Sequence, residues 1–94
     1  MWILQNAETE TIFRLRSGAI KTVGRAPRAD FVVDAALVSR LHCRLTATDD
    51  NLEVVDLSST NGTFVNDKRV DKAQLMAGDR LRLGRVELII MADG

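Results

Sequence analysis

The stretch Leu52-Glu-Val-Val-Asp-Leu-Ser-Ser-Thr-Asn-Gly-Thr-Phe-Val-Asn66 shows how this chain alternates between short apolar segments and turns. Its first six residues have a period of two, with Leu52 and Val54 on the face opposite Glu53, as in a strand with one buried face. Ser, Thr, Asn and Gly follow, and these residues favour turns because of their side-chain hydrogen bonds or permissive backbone. The stretch therefore predicts a β-strand that ends in a polar loop.

The same pattern recurs along the chain. Further segments of period two or of β-favouring composition are 13–16, 31–33, 80–83 and 86–91. Turn-forming residues fall at 17–18, 26–28, 49–51, 61–62, 66–67, 77–79 and 84–85. Strands that are short and separated by closely spaced turns are typical of an all-β sandwich, which is the predicted fold class.

The segment from Asp34 to Leu45 admits two interpretations. Asp34 can cap a helix, and Leu37, Val38 and Leu45 fall near one helical face. A lone helix would, however, interrupt a chain that otherwise has a period of two. We therefore favour a loop followed by a strand over His42–Thr48, with the helix as the alternative.

Length and composition bound the class of protein. The 94 residues, 46% apolar and 28% charged, are enough for one folded domain, and we expect residues 1–94 to form it. One Cys and one His cannot form an internal disulfide or a structural zinc site. No secretory signal or membrane-spanning run is present. We expect an intracellular domain, cytoplasmic or nuclear, without a metal or cofactor.

The charge is balanced overall but uneven along the chain. Thirteen basic and thirteen acidic residues cancel, so we expect no nucleic-acid or membrane partner. Between positions 14 and 44, however, seven basic residues stand against two acidic ones. Ten of the basic residues are Arg, whose planar guanidinium suits bidentate contacts with phosphate or carboxylate.

Three polar segments indicate what the arginines bind. A strand ends in Val23-Gly-Arg25, Ser39-Arg-Leu-His42 precedes the next strand, and six of the eleven residues in 56–66 are Ser, Thr or Asn. Arginines, hydroxyls and an amide without a metal-ligand set suit a bound phosphoryl group. No third group is positioned to orient His42, and the G-x-S-x-G turn is absent, so catalysis by Ser39 is not expected.

The segments together resemble the forkhead-associated (FHA) domain, a module that binds phosphothreonine peptides. The resemblance runs from about Ile12 to Met91. Its blocks are Thr22-Val-Gly-Arg25, Ser39-Arg-Leu-His42, the 56–66 run and Leu75-Met-Ala-Gly-Asp-Arg-Leu-Arg-Leu-Gly84. It implies a sandwich of about eleven strands, of the FHA and SMAD-like type, with binding loops at one end. It also implies a non-enzymatic signalling adaptor whose partner is a phosphothreonine-containing protein.

The resemblance also implies contacts for individual residues. Arg25 would hold the phosphate, and Ser39 would donate its hydroxyl to it. Arg40 follows that serine, at a position that varies in the family, and its charge suits a further phosphate contact. Thr60 would contact the phosphothreonine, and Asn61 would bond the main chain of the peptide beside it.

Three further residues would support the site. Gly24 would permit the turn before Arg25, and Gly62 would hold the tight turn after Asn61. His42 would brace the loops through hydrogen bonds. Cys43 is interpreted as a small buried residue, because neighbouring side chains on a strand face opposite sides.

Two features of the sequence admit more than one interpretation. The alternative function is an FHA-like fold used for phosphate-independent protein contact or self-association, since a fold does not dictate function. The loop 34–38 precedes the serine and, in the family, helps to select the third residue after the phosphothreonine. It contains no Lys or Arg, so it predicts an aliphatic residue or no strong choice there. Leu37 would form an apolar shelf or would pack inward.

Overall fold

The computed structural model describes residues 1–93, which form eleven strands and no helix. The strands are β1 Trp2–Asn6, β2 Ile12–Leu15, β3 Ile20–Gly24, β4 Phe31–Val32, β5 Cys43–Ala47, β6 Leu52–Asp56, β7 Thr63–Val65, β8 Lys68–Val70, β9 Lys72–Leu75, β10 Arg80–Leu83 and β11 Val86–Ala92. The predicted all-β class and the strand number implied by the resemblance are both confirmed. Within the described residues no helix could span a membrane.

The strands form two sheets. The six-stranded sheet has the order β2-β1-β11-β10-β7-β8, and the five-stranded sheet has the order β4-β3-β5-β6-β9. Strand pairs within residues 1–93 are antiparallel apart from β3 with β4, which is parallel. Such sheets bury one face and expose the other, as the period of two predicts.

The core lies between the sheets and consists of alternate strand residues. Leu45 on β5, Leu52 on β6 and Leu81 on β10 are fully buried, whereas Arg80 and Arg44 on the same strands are exposed. A fully buried Leu contributes about 1.5–3 kcal/mol, so the alternation fixes which face of each strand turns inward. A shift of one residue would move every such side chain to solvent.

The structure decides between the two interpretations of the segment 34–45. Residues 34–42 form a loop, and β5 follows from Cys43 to Ala47, so the loop-then-strand prediction is confirmed. β5 pairs with both β3 and β6, which satisfies its backbone on both edges. A helix would forfeit both ladders and remove Leu45 from the core.

The loop before β5 is held against the hairpin between β10 and β11. Gly84 has a φ of +62°, and a Cβ placed there would lie 2.7 Å from Cβ of Leu37 and 2.9 Å from its carbonyl oxygen. Val38 is buried, and its amide donates to the Ala35 carbonyl at 3.1 Å. The absence of a side chain at Gly84 therefore lets Leu37 pack closely against the β10–β11 hairpin of the other sheet.

We expect Gly84→Ala to destabilise the domain more than Gly78→Ala. Both glycines have positive φ, but the position of a Cβ at Gly78 is open space. A left-handed L-residue costs about 1–2 kcal/mol, and forcing the Leu37 backbone aside adds about 1–3 kcal/mol. Urea unfolding of both variants measures the difference.

Gly78 has the larger φ, +95°, so backbone strain alone would make Gly78→Ala at least as costly. An equal loss of unfolding free energy in the two variants would show that the contact between Gly84 and Leu37 does not contribute to stability.

Candidate functional site

The candidate site lies at one end of the sandwich, where three loops emerge together. The register pairs Val23 with Cys43 and Cys43 with Asp56, so β3 ends, β5 begins and β6 ends at the same level. Thr63 begins β7 at that end of the other sheet. The segments 25–30, 33–42 and 57–62 therefore meet, and they contain the polar residues that the sequence analysis singled out.

His42 joins two of these loops from inside the protein. The Ser39 amide donates to its Nδ1 at 3.0 Å, and its Nε2 lies 2.8 Å from the Gly62 carbonyl oxygen. The side chain is fully buried. Because Nδ1 accepts, the proton is assigned to Nε2, which donates to Gly62. A neutral imidazole thus fixes the start of the 39–42 segment relative to the turn at Gly62.

Ser39 and Asn61 are oriented by the opposite loop. The Thr60 amide donates to Oγ of Ser39 at 3.0 Å, which leaves the hydroxyl proton of Ser39 for another acceptor. Nδ2 of Asn61 donates to the Leu37 carbonyl at 3.0 Å, which leaves its Oδ1 and its second N–H for a ligand. Both side chains are therefore held in place while keeping hydrogen-bonding capacity.

Arg25 is anchored through its backbone and through one side-chain nitrogen. Its amide donates to the Ser39 carbonyl at 2.9 Å, and its Nε donates to the Val38 carbonyl at 3.1 Å. The residue is exposed, so its terminal guanidinium nitrogens face the solvent. Neither of the two ion pairs within residues 1–93 involves Arg25. Arg25 is therefore a positively charged side chain that is held in position and has no carboxylate partner within residues 1–93.

The two supporting glycines meet different requirements. Gly62 has a φ of +90°, a conformation that favours glycine. Gly24 does not have positive φ, but a Cβ there would collide with the Arg40 carbonyl group and lie 2.9 Å from Cα of Leu41. Gly24 is therefore needed for close approach between β3 and the segment before β5, and not for a left-handed turn.

Asp56 organises the loop that follows β6, a role that the sequence analysis did not assign. Its carboxylate accepts hydrogen bonds from the Ser59 hydroxyl at 2.5 Å, the Ser59 amide at 3.1 Å and the Thr63 hydroxyl at 2.7 Å. Oγ of Ser59 in turn accepts from the Gly62 amide at 3.0 Å. The available signal was an acidic residue in line with Leu52 and Val54 on the inward face of a strand.

The hydrogen bonds change the acidity of Asp56. Burial by itself would raise the pKa of this carboxyl, but the hydrogen bonds from Ser59 and Thr63 lower the pKa below its ordinary value of 3.8. The ionised form is thus preferred in the folded protein. It contributes stability above about pH 3.8, and this contribution is lost as the pH falls through the lowered folded value.

We expect Asp56→Asn to destabilise the domain by about 2 kcal/mol at neutral pH, because an amide cannot accept all three bonds with the strength of a carboxylate. The difference from the unmodified protein should be smaller at about pH 3, because the stability that ionised Asp56 contributes falls once the pH drops below the ordinary carboxyl value of 3.8. Urea unfolding at the two pH values measures it. Asp50→Asn, an exposed change in the β5–β6 turn, is the control. A pH-independent difference would contradict an ionised Asp56.

The structure brings four of the five predicted ligand contacts to one small cleft. This cleft, which we call the cradle, has a volume of about 160 Å³ and is lined by Arg25, Ser39, Thr60 and Asn61 together with residues 36–38. Arg40 does not line the cradle. It lines an adjoining cleft with Arg25 and Arg28, and the sequence analysis did not include Arg28 in the site.

This end of the domain has neither a group of metal ligands nor an exposed cysteine thiol among the residues that the structure describes. Within residues 1–93 no three His, Cys, Asp or Glu side chains are grouped to hold a metal ion. Cys43 is fully buried, and its burial raises the pKa of the thiol far above the ordinary value. The nucleophilic thiolate of Cys43 is therefore disfavoured.

Comparison with protein families agrees with the resemblance that the sequence motifs indicated. The FHA domain model matches residues 21–84, which include every residue of the cradle. The chain belongs to the FHA domain family. Its relatives include the glycogen accumulation regulator GarA of Mycobacterium tuberculosis, 38% identical over 73 residues, which are 78% of this chain and 45% of GarA.

A second relative is the ABC transporter ATP-binding/permease protein Rv1747 of the same organism. It is 44% identical over 80 residues, which are 85% of this chain but 9% of the transporter. The chain thus spans about half of GarA and a small part of the transporter.

A similar solved structure comes from a structural and functional analysis of phosphothreonine-dependent FHA domain interactions. It superposes with a TM-score of 0.93 at 34% identity, covering 99% of this chain and 97% of the other.

Proposed function

We propose that this FHA domain is an adaptor that binds phosphothreonine peptides through the cradle. The observation that carries the proposal is the convergence of the Arg25 guanidinium and the Ser39 hydroxyl on one cleft that Thr60 and Asn61 also line. Arg25 has no carboxylate partner within residues 1–93. The similar structure from work on phosphothreonine-dependent interactions supports the same ligand.

Each cradle residue has a separate part in this binding. A phosphate group carries nearly two negative charges at neutral pH and several acceptor oxygens. Arg25 supplies charge-assisted bonds to those oxygens, and Ser39 supplies a hydroxyl already oriented by the Thr60 amide. Asn61, tied to Leu37, offers its Oδ1 and remaining N–H to the peptide backbone. The backbone contact places the peptide and the phosphate contact selects the modified residue.

We propose further that residues 1–94 act as one binding module inside the cell and that they bind without catalysing a reaction. GarA is named as a regulator of glycogen accumulation, and a regulatory role suits a domain that recognises a modification. Another FHA domain has been solved with the intracellular domain of a partner protein. The balanced charge supports a protein partner over nucleic acid or membrane.

The test compares phosphothreonine and threonine peptides of the same sequence by fluorescence anisotropy. We expect a strong preference for the phosphorylated peptide, and we expect Arg25→Ala to weaken its binding about tenfold to several hundredfold, because bonds to charged groups contribute about 1.5–3 kcal/mol or more. Arg25→Lys should also weaken binding, since a point charge does not replace the planar fork.

The control is Arg16→Ala. It removes the same charge near the Gly18–Ala47 contact, at the far end of β5 from the cradle. Normal affinity in a folded Arg25→Ala variant would overturn the site assignment. Equal binding of both peptides would instead favour phosphate-independent contact.

The loop 34–38 gives a prediction about the third residue after the phosphothreonine. Ala35, Ala36, Leu37 and Val86 line a cleft of about 440 Å³ next to the cradle, with Glu8 and Arg85 also at its wall. The Leu37 backbone packs on Gly84, while 39% of the residue's surface stays exposed. Leu37 therefore packs inward against Gly84 and also leaves an exposed apolar surface, so each of the two interpretations holds in part.

We expect an aliphatic residue, or no strong choice, at that position of the ligand. A peptide array that varies the third residue measures the preference. Leu37→Lys keeps the Cβ that contacts Gly84 but adds a cation, so it should shift the preference towards Asp and Glu. A dominant acidic preference in the unmodified domain would contradict this interpretation of the loop.

A further inference from the structure

A second cleft adjoins the cradle and has a different character. It has a volume of about 480 Å³ and is lined by Arg25, Ala26, Pro27, Arg28 and Arg40. We call it the arginine cleft. It shares Arg25 with the cradle, but Arg28 and Arg40 do not line the cradle. Two of its three arginines therefore lie outside the cleft that we propose holds the phosphothreonine.

Backbone hydrogen bonds bring the three arginines together. The Ala26 amide donates to the Arg40 carbonyl at 3.0 Å, next to the bond from the Arg25 amide to Ser39, so the two segments run side by side. The Ala29 amide donates to the Ala26 carbonyl at 3.0 Å and closes a turn. Pro27 occupies the second position of this turn, where its fixed φ is favoured. Arg28 follows it and is placed at the wall of the cleft.

None of the three arginines of this cleft forms an ion pair within residues 1–93. The two ion pairs within residues 1–93 join Lys72 to Glu53 at 3.5 Å and Arg80 to Asp67 at 3.2 Å, away from the cleft. Asp30, close in sequence to Arg28, accepts hydrogen bonds from the amide and hydroxyl of Thr22. Like charges held in one cleft repel each other, and an incoming anion relieves that repulsion.

We propose that the arginine cleft binds a second anionic side chain, a carboxylate or a phosphate, of the same peptide whose phosphothreonine occupies the cradle. This inference rests on the proposed function. Arg28 and Arg40 would supply the contacts, and guanidinium groups suit both anions because of their planar fork. A phosphate carries nearly twice the charge of a carboxylate, so a second phosphorylated residue is the stronger ligand.

The arrangement of the clefts predicts where the second anion lies in the peptide. The cradle shares Arg25 with the arginine cleft, and it shares Ala36 and Leu37 with the cleft of about 440 Å³ described above. The two outer clefts have no lining residue in common. A peptide that crosses the cradle therefore meets the two outer clefts through different residues, and its anionic and aliphatic preferences should fall at separate positions.

The experiment begins with an array of phosphothreonine peptides in which Glu or phosphoserine is moved through each flanking position. The best position is then measured by anisotropy with three matched peptides that carry a neutral residue, Glu or phosphoserine there. We expect a gain of about threefold for Glu and about tenfold for phosphoserine over the neutral peptide, as for charge-assisted contacts in an open cleft.

The variants test whether Arg28 causes the gain. Arg28→Ala should reduce the phosphoserine gain to less than about threefold, and Arg28→Lys should keep part of it, because charge remains without the fork. Arg16→Ala, which removes an equal charge at the far end of the sandwich, should leave the gain intact. Thermal unfolding of each variant confirms that it is folded.

The outcomes separate the two proposals. A domain that does not distinguish phosphothreonine from threonine overturns both. A domain that binds the singly phosphorylated peptide but gains nothing from the second anion overturns the arginine cleft alone. An affinity gain that survives Arg28→Ala would also overturn the arginine cleft. The same holds if Arg16→Ala reduces the gain as much as Arg28→Ala does, because general electrostatic attraction between protein and peptide would then explain it.

Discussion

The buried imidazole of His42 is the contact on which the binding end of this domain depends. It accepts from the Ser39 amide and donates to the Gly62 carbonyl, so one side chain satisfies a backbone group on each of two loops. Loss of the imidazole would leave both groups without a partner inside the protein, and each such group costs about 1–3 kcal/mol. Ser39 and Thr60, whose own bond lies between the same loops, would lose their alignment.

The segment 37–40 acts as a frame for the site because its four successive carbonyls accept hydrogen bonds from the other two loops. Leu37 accepts from the Asn61 side chain, Val38 and Ser39 accept from Arg25, and Arg40 accepts from the Ala26 amide. Gly24 allows close approach at one end of this segment, and Gly84 allows it at the other. The cradle side chains of Arg25 and Asn61 are thus positioned by backbone atoms, whose geometry does not depend on rotamer choice.

The sequence predicts much of this arrangement, but not its internal contacts. The period of two identified the strands, since burial repeats locally along each strand. The polar segments were found because arginines, hydroxyls and an amide at strand ends suit a phosphoryl group, and the individual cradle residues came from the resemblance to the FHA domain. Asp56 and Arg28 were missed for a physical reason. Their partners are set by how distant strands and turns meet, and no local pattern shows that Asp56 would bond Thr63 or that Arg28 would lie beside Arg40.

Asp56 lies at the same end of the domain as the arginines of the site but does not pair with them, and this arrangement has a physical explanation. Asp56 ends the strand that leads into the loop of Thr60, yet its carboxylate is occupied by Ser59 and Thr63 and forms no ion pair within residues 1–93. A carboxylate paired with Arg25 would have to be displaced before a phosphate could bind, and affinity would fall by the strength of that pair. Because hydroxyls and an amide hold Asp56 in place of a guanidinium, the loop is ordered without neutralising the arginines. The same polar residues therefore stabilise the loop and leave the positive charge available to an anion.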